Sequence, residues 1–493
     1  MSLIKNIFKS IAILFGIVVL AVLFCFAIMM IGKVEMFGFK YLNFENTDQV
    51  FYTDVSNANK ISITTNGVAV EVIDSSDVTK IEYKFVGKAQ GIVKTDSIKN
   101  QDAPLNFTYG FNNGVYEIVT QEPTGLFFQN QSKLKIFIPT TMTIDDLSIK
   151  TGTNDIKFSG LNLNLSNLSF ESTTELKDYT ISDKVTVNKN LTLKTNSGRI
   201  YINSKINGDV LVDSVFSTII FSKDVGKNGS AVRITGSNPH IQFGDISNDN
   251  SNVSVLGDIA VDCKNGGLID ISGSIYGTLS LISPNATLNV ETTHREVTAI
   301  DGFKMLNIKN MVGDATINKG DGVLNIKSCS ADNLIITGNL NDVNIEKLYG
   351  NATITNNYGD INVTYASNAS QYNKFTAVTK NGKITAKNLP CEVSLTSEKG
   401  NIYAEFLNIV GNNTITTNNQ VTAKVKDNVM YNLTTKSKTG GVNVNLGSTN
   451  YTNWEGAETI EGYKVITSQV NGSGSGNLII QTNSGKINVE ILI

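Results

Sequence analysis

The residues that could do chemistry in this chain are few and far apart. There are two histidines, His240 and His294. His294 lies in VETTHREV between Glu291 and Glu296, a trio from which a metal site or an acid/base pair could be assembled. The simpler reading of ETTHRE is a charged loop. His240 follows Pro239 and precedes an inward Ile241, so its ring is expected to point to solvent. Neither histidine comes with a glycine-flanked nucleophile, and no Ser-His-Asp arrangement is supported. Asp258, Asp262, Asp270, Asp314, Asp321, Asp342 and Asp360 are the carboxylates from which a β-helical polysaccharide lyase or hydrolase would build an outer-face cluster, with or without calcium. Most stand at turns, where aspartate is favoured for local backbone hydrogen bonding anyway. NKGDGV (318–323) resembles a calcium-binding repeat loop but occurs once, and such sites need stacked copies. No catalytic, cofactor or metal-ligating residue is assigned, and the chain is expected not to be an enzyme.

Binding residues are easier to nominate. The segment 447–477 interrupts a repeat, ends in a Gly/Ser linker and holds the chain's one tryptophan, Trp454, with Tyr451 and Tyr463. Loops on a rigid scaffold often carry binding residues, and exposed aromatics stack on sugar rings. These three are the candidate ligand-binding residues. The competing and preferred reading is that Trp454 folds back to cover the side of the body. Arginine, the usual choice for bidentate recognition of carboxylate or phosphate, occurs only as Arg199, Arg233 and Arg295 among 41 basic residues. The net charge of −3 gives no electrostatic footprint for nucleic acid. Of four cysteines, Cys25 falls in an apolar run, and Cys263, Cys329 and Cys391 have neither disulfide nor zinc spacing. Cys263 and Cys391 continue period-2 alternations and read as small core residues.

The elements that would position these residues form a repeat. In NLIIQTNSGKINVEI, Ile480 and Ile487 stand seven residues apart around a turn with Gly485, as do Leu193 and Ile200 in LTLKTNSGRIYI. The same step gives Ile149/Ile156, Val212/Ile219, Ile234/Ile241, Leu281/Leu288, Ile308/Ala315, Ile336/Val343, Ile354/Ile361, Ala377/Ile384 and Leu395/Ile402, with looser copies at Ile415/Val421 and Leu433/Val442. Phe170 splits the interval from Ile149 to Leu193, and Val255 splits that from Ile234 to Leu281. A unit of about twenty residues recurs, with alternating apolar side chains and turn residues whose backbone freedom suits a sharp corner. One unit cannot bury its apolar face alone, but a stack can. Threonine or serine often closes the first strand, at Thr195, Ser283, Thr379 and Thr482, where stacked hydroxyls could bond along the axis. The fold expected is all-β: a β-solenoid behind an N-terminal transmembrane helix. A row of β-hairpins in a twisted sandwich would give the same local pattern.

Residues Ile11 to Ile31 carry no charge and at 1.5 Å per residue span about 30 Å, a bilayer's hydrocarbon thickness. The run is longer than a signal peptide's apolar region and lacks a small-x-small cleavage site. Its flanking lysines are nearly balanced between the two sides, so the orientation with the body outside rests on the long polar β-rich body. The organisation expected is a short cytoplasmic tail (1–10), a transmembrane anchor (11–31), a linker (32–45), an irregular β-rich part (46–143), the solenoid (144–446), an insertion loop (447–477) and a terminal repeat (478–493).

SITTNGVAVEV (62–72), KLKIFIPTTMTIDDLSIKTGTNDIKFSG (133–160) and IIQTNSGKINVEI (479–491) together resemble the bacterial putative-adhesin family, a β-repeat domain of cell-envelope proteins. Leu134, Ile136, Ile138 and Pro139 fill its proline-terminated strand. Leu147, Ile149, Gly152, Ile156 and Phe158 fill its strand-turn-strand. The resemblance implies an envelope location and an adhesive or structural role, and transfers no catalytic residues. The function expected is therefore a single-pass, extracytoplasmic adhesive or structural protein at the cell membrane. Its partners would be the bilayer through residues 11–31 and a cell-wall polymer, glycan or envelope protein. The alternative is an envelope-stress component that senses or sequesters a ligand at the membrane. A polysaccharide-degrading β-helix is a distant third.

Overall fold

The computed structural model describes residues 2–32, 34–46, 51–52, 58–98, 103–152, 156–159, 163–173, 175–244, 252–318, 321–447, 449–452 and 456–492. It opens with one helix, α1 (Ser2–Gly32), longer than the uncharged run because Leu3, Ile4, Ile7 and Phe8 extend the apolar composition backwards. Asn6–Gly32 has a mean hydropathy of 3.2, and none of its most apolar window is buried. A helix that is apolar on every side and exposed along most of its length, with Met29 buried near its end, suits lipid, not water. Its length and composition are sufficient to cross a bilayer. Seven residues later the strand Phe39–Glu45 begins and pairs antiparallel with Lys88–Lys94. Residues 39–45, expected within a linker, are therefore part of a sheet.

The remainder is β-structure in two compact units, divided between Lys205 and Ile206. In the first, Lys60–Thr65 and Ala69–Ser75 make one coil, and Ile63 and Val70 stand in register with Ile149 and Ile156 of the next. Phe170 follows Ile149, and Leu193 follows Phe170, in the same ladder. The spacing-based register thus holds here. The stretch read as irregular hides a second coil, built from Val115–Gln121 and Lys133–Pro139. It stacks on the outer side of the coil 60–75 through Ile63↔Ile118 and Val70↔Leu134. The second coil in sequence is therefore the outermost in space.

The second unit settles the choice between solenoid and hairpins, because its repeats pair in parallel, coil on coil. Val212, Ile234, Val261, Leu281, Ala299, Ile317, Ile336, Ile354, Ala377, Leu395 and Ile415 form one inward ladder. A second ladder runs from Ile219 through Leu288, Leu324 and Ile361 to Val421. Three assignments from spacing are corrected. Ile308 belongs to the second side and Ala315 to the first side of the following coil; the true pairs there are Ala299/Leu306 and Ile317/Leu324, again seven apart. Val261, not Val255, bridges Ile234 and Leu281.

Val255 instead belongs to a third side. Ile206, Val225, Val255 and Ile275 join by single parallel bridges, and the row continues through Thr293, Met311, Cys329, Leu348 and Tyr365. Each contact is only one or two residues long, too short to leave an alternation in the sequence. Three inward rows enclose the core. Leu334, Ile336, Leu340, Val343, Ile345 and Leu348 of one coil are each at most 2% exposed. Cys263, Cys329 and Cys391 are buried too.

The corner between first and second sides explains the Thr/Ser–x–x–Gly spacing. Ser397 Oγ donates to Gly382 O at 2.8 Å and accepts from Gly400 N at 2.8 Å. Thr417 Oγ1 donates to Gly400 O at 2.8 Å. The hydroxyls thus bond mainly to backbone of the neighbouring corner, satisfying buried polar groups; Thr482 to Ser437, at 3.1 Å, is a direct hydroxyl pair. Glycine is required at these corners by proximity, not by backbone angle. A Cβ on Gly400 would stand 1.8 Å from Gly382 O, and one on Gly382 1.9 Å from Gly359 O.

The last coil in sequence is not the last in space. Gly476–Thr482 pairs in parallel with Asn412–Thr417 on one side and Tyr431–Ser437 on the other. Ile487–Leu492 does the same between Val421–Lys426 and Val442–Leu446. In this register Ile480 faces Thr435, so Leu433, taken from spacing as the equivalent residue, sits one inward position earlier, opposite Leu478.

Candidate functional site

Two of the three nominated aromatic residues, Tyr451 and Tyr463, lie on the strands that close the outer coil 431–446. Residues 447–477, expected as an insertion loop, contain Thr449–Thr452 and Tyr463–Val470, which pair antiparallel with Val442–Leu446 and Tyr431–Ser437. Tyr451 Oη lies 3.3 Å from Thr435 Oγ1, and burial raises its pKa. Tyr463 Oη donates to Asn483 Oδ1 at 2.9 Å and accepts from Gln481 Nε2 at 3.1 Å, with Lys438 Nζ 4.9 Å above the ring centre. Trp454 lies outside the described residues. Tyr451 thus ties its covering strand to the outer coil, and Tyr463 ties its strand to the inserted coil, with both hydroxyls turned onto the body.

The candidate carboxylates disperse along the stack. Asp258 Oδ1 accepts from Thr278 N at 2.8 Å, Asp314 Oδ1 from Asn333 N at 2.8 Å and Asp360 Oδ1 from Lys383 N at 2.8 Å. Each ties its corner to the next coil. Among the described residues no group of three or more histidines, cysteines or acids stands close enough to hold a metal. Lys319 and Gly320 of NKGDGV lie outside the described residues. The Glu291/His294/Glu296 trio is split: Glu291 pairs with Lys309 at 2.7 Å on the second side, while His294 stacks on Tyr276 on the third.

Where spacing gave no signal, the outer surface of the second side has a regular structure. Asn307 Nδ2 donates to Asn289 Oδ1 at 2.6 Å, Asn325 to Asn307 at 2.7 Å, Asn344 to Asn325 at 2.9 Å and Asn362 to Asn344 at 2.9 Å. Asn289 Nδ2 in turn donates to Asp270 Oδ1 at 2.6 Å. His240, expected to face solvent, is half-buried with Nε2 3.4 Å from Asp270 Oδ2. Burial alone would raise the Asp270 pKa. The bonds from His240 and Asn289 outweigh it, and the net shift is downward.

An amide has two N–H donors and two acceptor positions. Each amide from Asn289 to Asn344 spends one of each along the axis, which leaves one donor and one acceptor position for other partners. Beside this row runs a charged one, Glu291, Lys309, Lys327 and Glu346, two positions along each strand. The two rows flank an open groove of about 520 Å³. Lys327 and Glu346 make no ion pair among the described residues. The signal available in sequence was Asn-x-[Glu/Lys] following the second inward residue: NVE, NIK, NIK, NIE. It was legible only once the coils at 299 and 317 were in register.

Residues 58–211 match the Toastrack family (DUF4097). The first two stretches that carry the putative-adhesin resemblance fall inside this match, and the resemblance holds. Among solved structures, the chain is similar to one described as a putative cell adhesion protein from Clostridium sporogenes ATCC 15579, at 9% identity over 91% of this chain and 100% of that one, with a TM-score of 0.13. It is also similar to one described as a putative adhesin from Bacteroides fragilis NCTC 9343, at 14% identity over 73% of this chain and 98% of that one, with a TM-score of 0.16. No curated protein matches the chain significantly.

Proposed function

We propose that this chain, a β-solenoid with a Toastrack segment behind one apolar helix, is a membrane-anchored extracytoplasmic protein with an adhesive or structural role in the cell envelope. The anchor is α1, and the body binds wall polymer, glycan or envelope protein along its flank. The observation that carries this reading is the repeating groove of the second side. Its amide recurs on every coil from Asn289 to Asn344 with a charged side chain, acidic or basic, beside it, and a surface that repeats at about 4.8 Å suits a ligand that also repeats. We read the protein as a binder, not a catalyst, because the carboxylates a hydrolase would cluster are engaged singly with backbone of neighbouring coils. Many weak, repeated contacts acting together would supply avidity without any single deep pocket.

Two measurements test this. Protease added to spheroplasts is expected to remove the body and leave a fragment of a few kilodaltons carrying residues 11–31. A body protected until lysis would overturn the extracytoplasmic reading. Full-length protein in nanodiscs is expected to be retained by isolated envelope material, and the double variant Lys309→Glu, Lys327→Glu to be retained at least tenfold less. Equal retention would remove the groove from the function.

A further inference from the structure

The third side carries its own outward row, one residue beyond the buried ladder. Leu256 N, Tyr276 N and His294 N donate to Val225 O, Val255 O and Ile275 O at 2.8, 2.9 and 2.9 Å. This aligns Gly226, Leu256, Tyr276, His294 and Val312 on successive coils. The row steps upward in size: no side chain at Gly226, a leucine, then a tyrosine whose ring lies 4.6 Å from the His294 ring at 8°. Tyr276 is 48% exposed. With His294 backing one face of the ring, the other lies on the side of Leu256, a shorter side chain on the preceding coil. There the surface dips into an open pocket of about 570 Å³, bounded by Asp224, Asn228, Ser254, Leu256, Tyr276 and Arg295.

The polar groups around this step are placed for a charged, hydroxyl-rich ligand. Arg295, one of three arginines in the chain, has no ion pair or side-chain hydrogen bond among the described residues. Asp224 Oδ1 accepts from Ser254 N at 2.7 Å, which fixes the carboxylate and leaves Oδ2 to the pocket. Asp224 and Arg295 line the same cavity without pairing with each other. An aromatic face beside an unpaired guanidinium and a fixed acceptor matches a pyranose ring that bears a carboxylate. The ring stacks, the guanidinium takes the carboxylate as a two-pronged hydrogen-bond pair, and the aspartate accepts from ring hydroxyls.

We propose that this step on the third side is a subsite for an anionic polysaccharide of uronic-acid type, with Tyr276 as the stacking platform, Arg295 as the carboxylate ligand and Asp224 as the hydroxyl acceptor. It rests on the adhesive reading above and narrows its ligand. The spacing of coils is comparable with the length of one pyranose unit, so a chain lying along the axis would meet Tyr276 with one residue and the Asp224/Asn228 rim, two coils away, with the next but one.

The test uses full-length protein in nanodiscs, immobilised polygalacturonate, its neutral counterpart galactan, and isolated envelope material. Polygalacturonate is expected to retain the wild type and galactan is not. Tyr276→Ala and Arg295→Gln are each expected to lower retention on polygalacturonate at least tenfold. Tyr372→Ala, which changes an 84% exposed ring elsewhere in the unit, should leave it unchanged. All three positions are at the surface, so matched thermal melts will establish that the variants fold. Retention of both pocket variants at wild-type levels would overturn the site. Failure of polygalacturonate to hold the wild type, while envelope material does, would overturn the ligand class and leave the adhesive reading standing. Failure of both to hold it would overturn the two together.

Discussion

Both units must stop their stack somewhere, and they do it with one topology and two chemistries. An outermost coil presents bare strand edges, which invite pairing with other chains unless covered. In the first unit the coil 115–139 is covered by two antiparallel strands, Asn106–Asn112 and Glu82–Val86. In the second, the coil 431–446 is covered by Thr449–Thr452 and Tyr463–Val470. The covering strands run opposite to the coil, so they close the edge without templating another turn. In both units the outermost coil is out of sequence order. The fillings differ. The first cap is an aromatic cluster, with Phe107 against Phe85 at 5.3 Å and 89° and against Phe51 at 5.7 Å. The second adds hydroxyls and amides, through Tyr451, Tyr463, Gln481 and Asn483, to the buried aliphatics Ile466 and Val470. The same edge can thus be closed by an aromatic cluster or by aliphatics with hydrogen bonds, and the two should respond differently to substitution.

The largest expected effect is in the inserted coil. Ile480 is fully buried between two others, and Ile480→Asp should cost roughly 4 kcal/mol or more. The cap of the second unit should then open, detected as rapid protease cleavage within 427–475 while the first unit stays resistant. Simultaneous cleavage of both units would show that the caps are not independent. Phe107→Ala should cost the first unit about 3–4 kcal/mol, read by denaturant melts; a loss under 1 kcal/mol would mean that the aromatic cluster does not hold that cap.

Glycines separate the two caps by mechanism. Gly440→Ala places a Cβ 1.9 Å from Gly485 O and should cost about 3 kcal/mol through overpacking. Gly114→Ala meets nothing within 4 Å but sits at φ +82° and should cost only about 1–2 kcal/mol of backbone strain. The reverse order would refute close approach as the reason for corner glycines. Tyr463→Phe removes two partly exposed hydrogen bonds and should cost about 1 kcal/mol. No change in melting would show that the tyrosine caps by its ring alone.

The smallest effect is in pH. The Asp270 pKa is lowered on folding, so its contribution is present above the usual carboxylate range and is lost as pH falls through the folded value. Melting of the second unit should therefore drop less between pH 5 and 3 in Asp270→Asn than in the wild type. Equal slopes would remove Asp270 from the ladder's energetics. The thiols offer a check on the common core. Burial raises the pKa of Cys263 to about 12 and those of Cys329 and Cys391 to about 11, so none should react with a thiol probe at pH 8 until its unit unfolds.

Wherever the repeat has two strands and a tight corner, the sequence was readable, because period-2 alternation and the seven-residue step record which side chains face inward. Ile63 with Val70, Phe170 with Leu193, and every pair from 336 to 402 followed from that spacing. It failed at Ile308/Ala315, where an alanine, Ala299, takes the first inward position and is too small to stand out in a hydrophobic pattern. It failed again at Val255, because the third side touches at only one or two residues per coil. The binding surface was less legible than the fold. The nominated aromatics proved to be capping residues where described, and the asparagine ladder and the Tyr276 step depend on residues about twenty positions apart being stacked.

What the amino-acid sequence determines on its own is local. It sets one helix long and apolar enough for a bilayer, strands that alternate, and corners that need glycine or a small hydroxyl. Each follows from interactions within a few residues. The order of the coils is decided only in three dimensions. Every coil offers the same parallel edge, so hydrogen bonding cannot distinguish the neighbour in sequence from a coil sixty residues away. The inserted coil takes its place between 412–426 and 431–446 because the antiparallel strands already close the far side of the outer one, leaving the gap as the one place where both its edges can be paired.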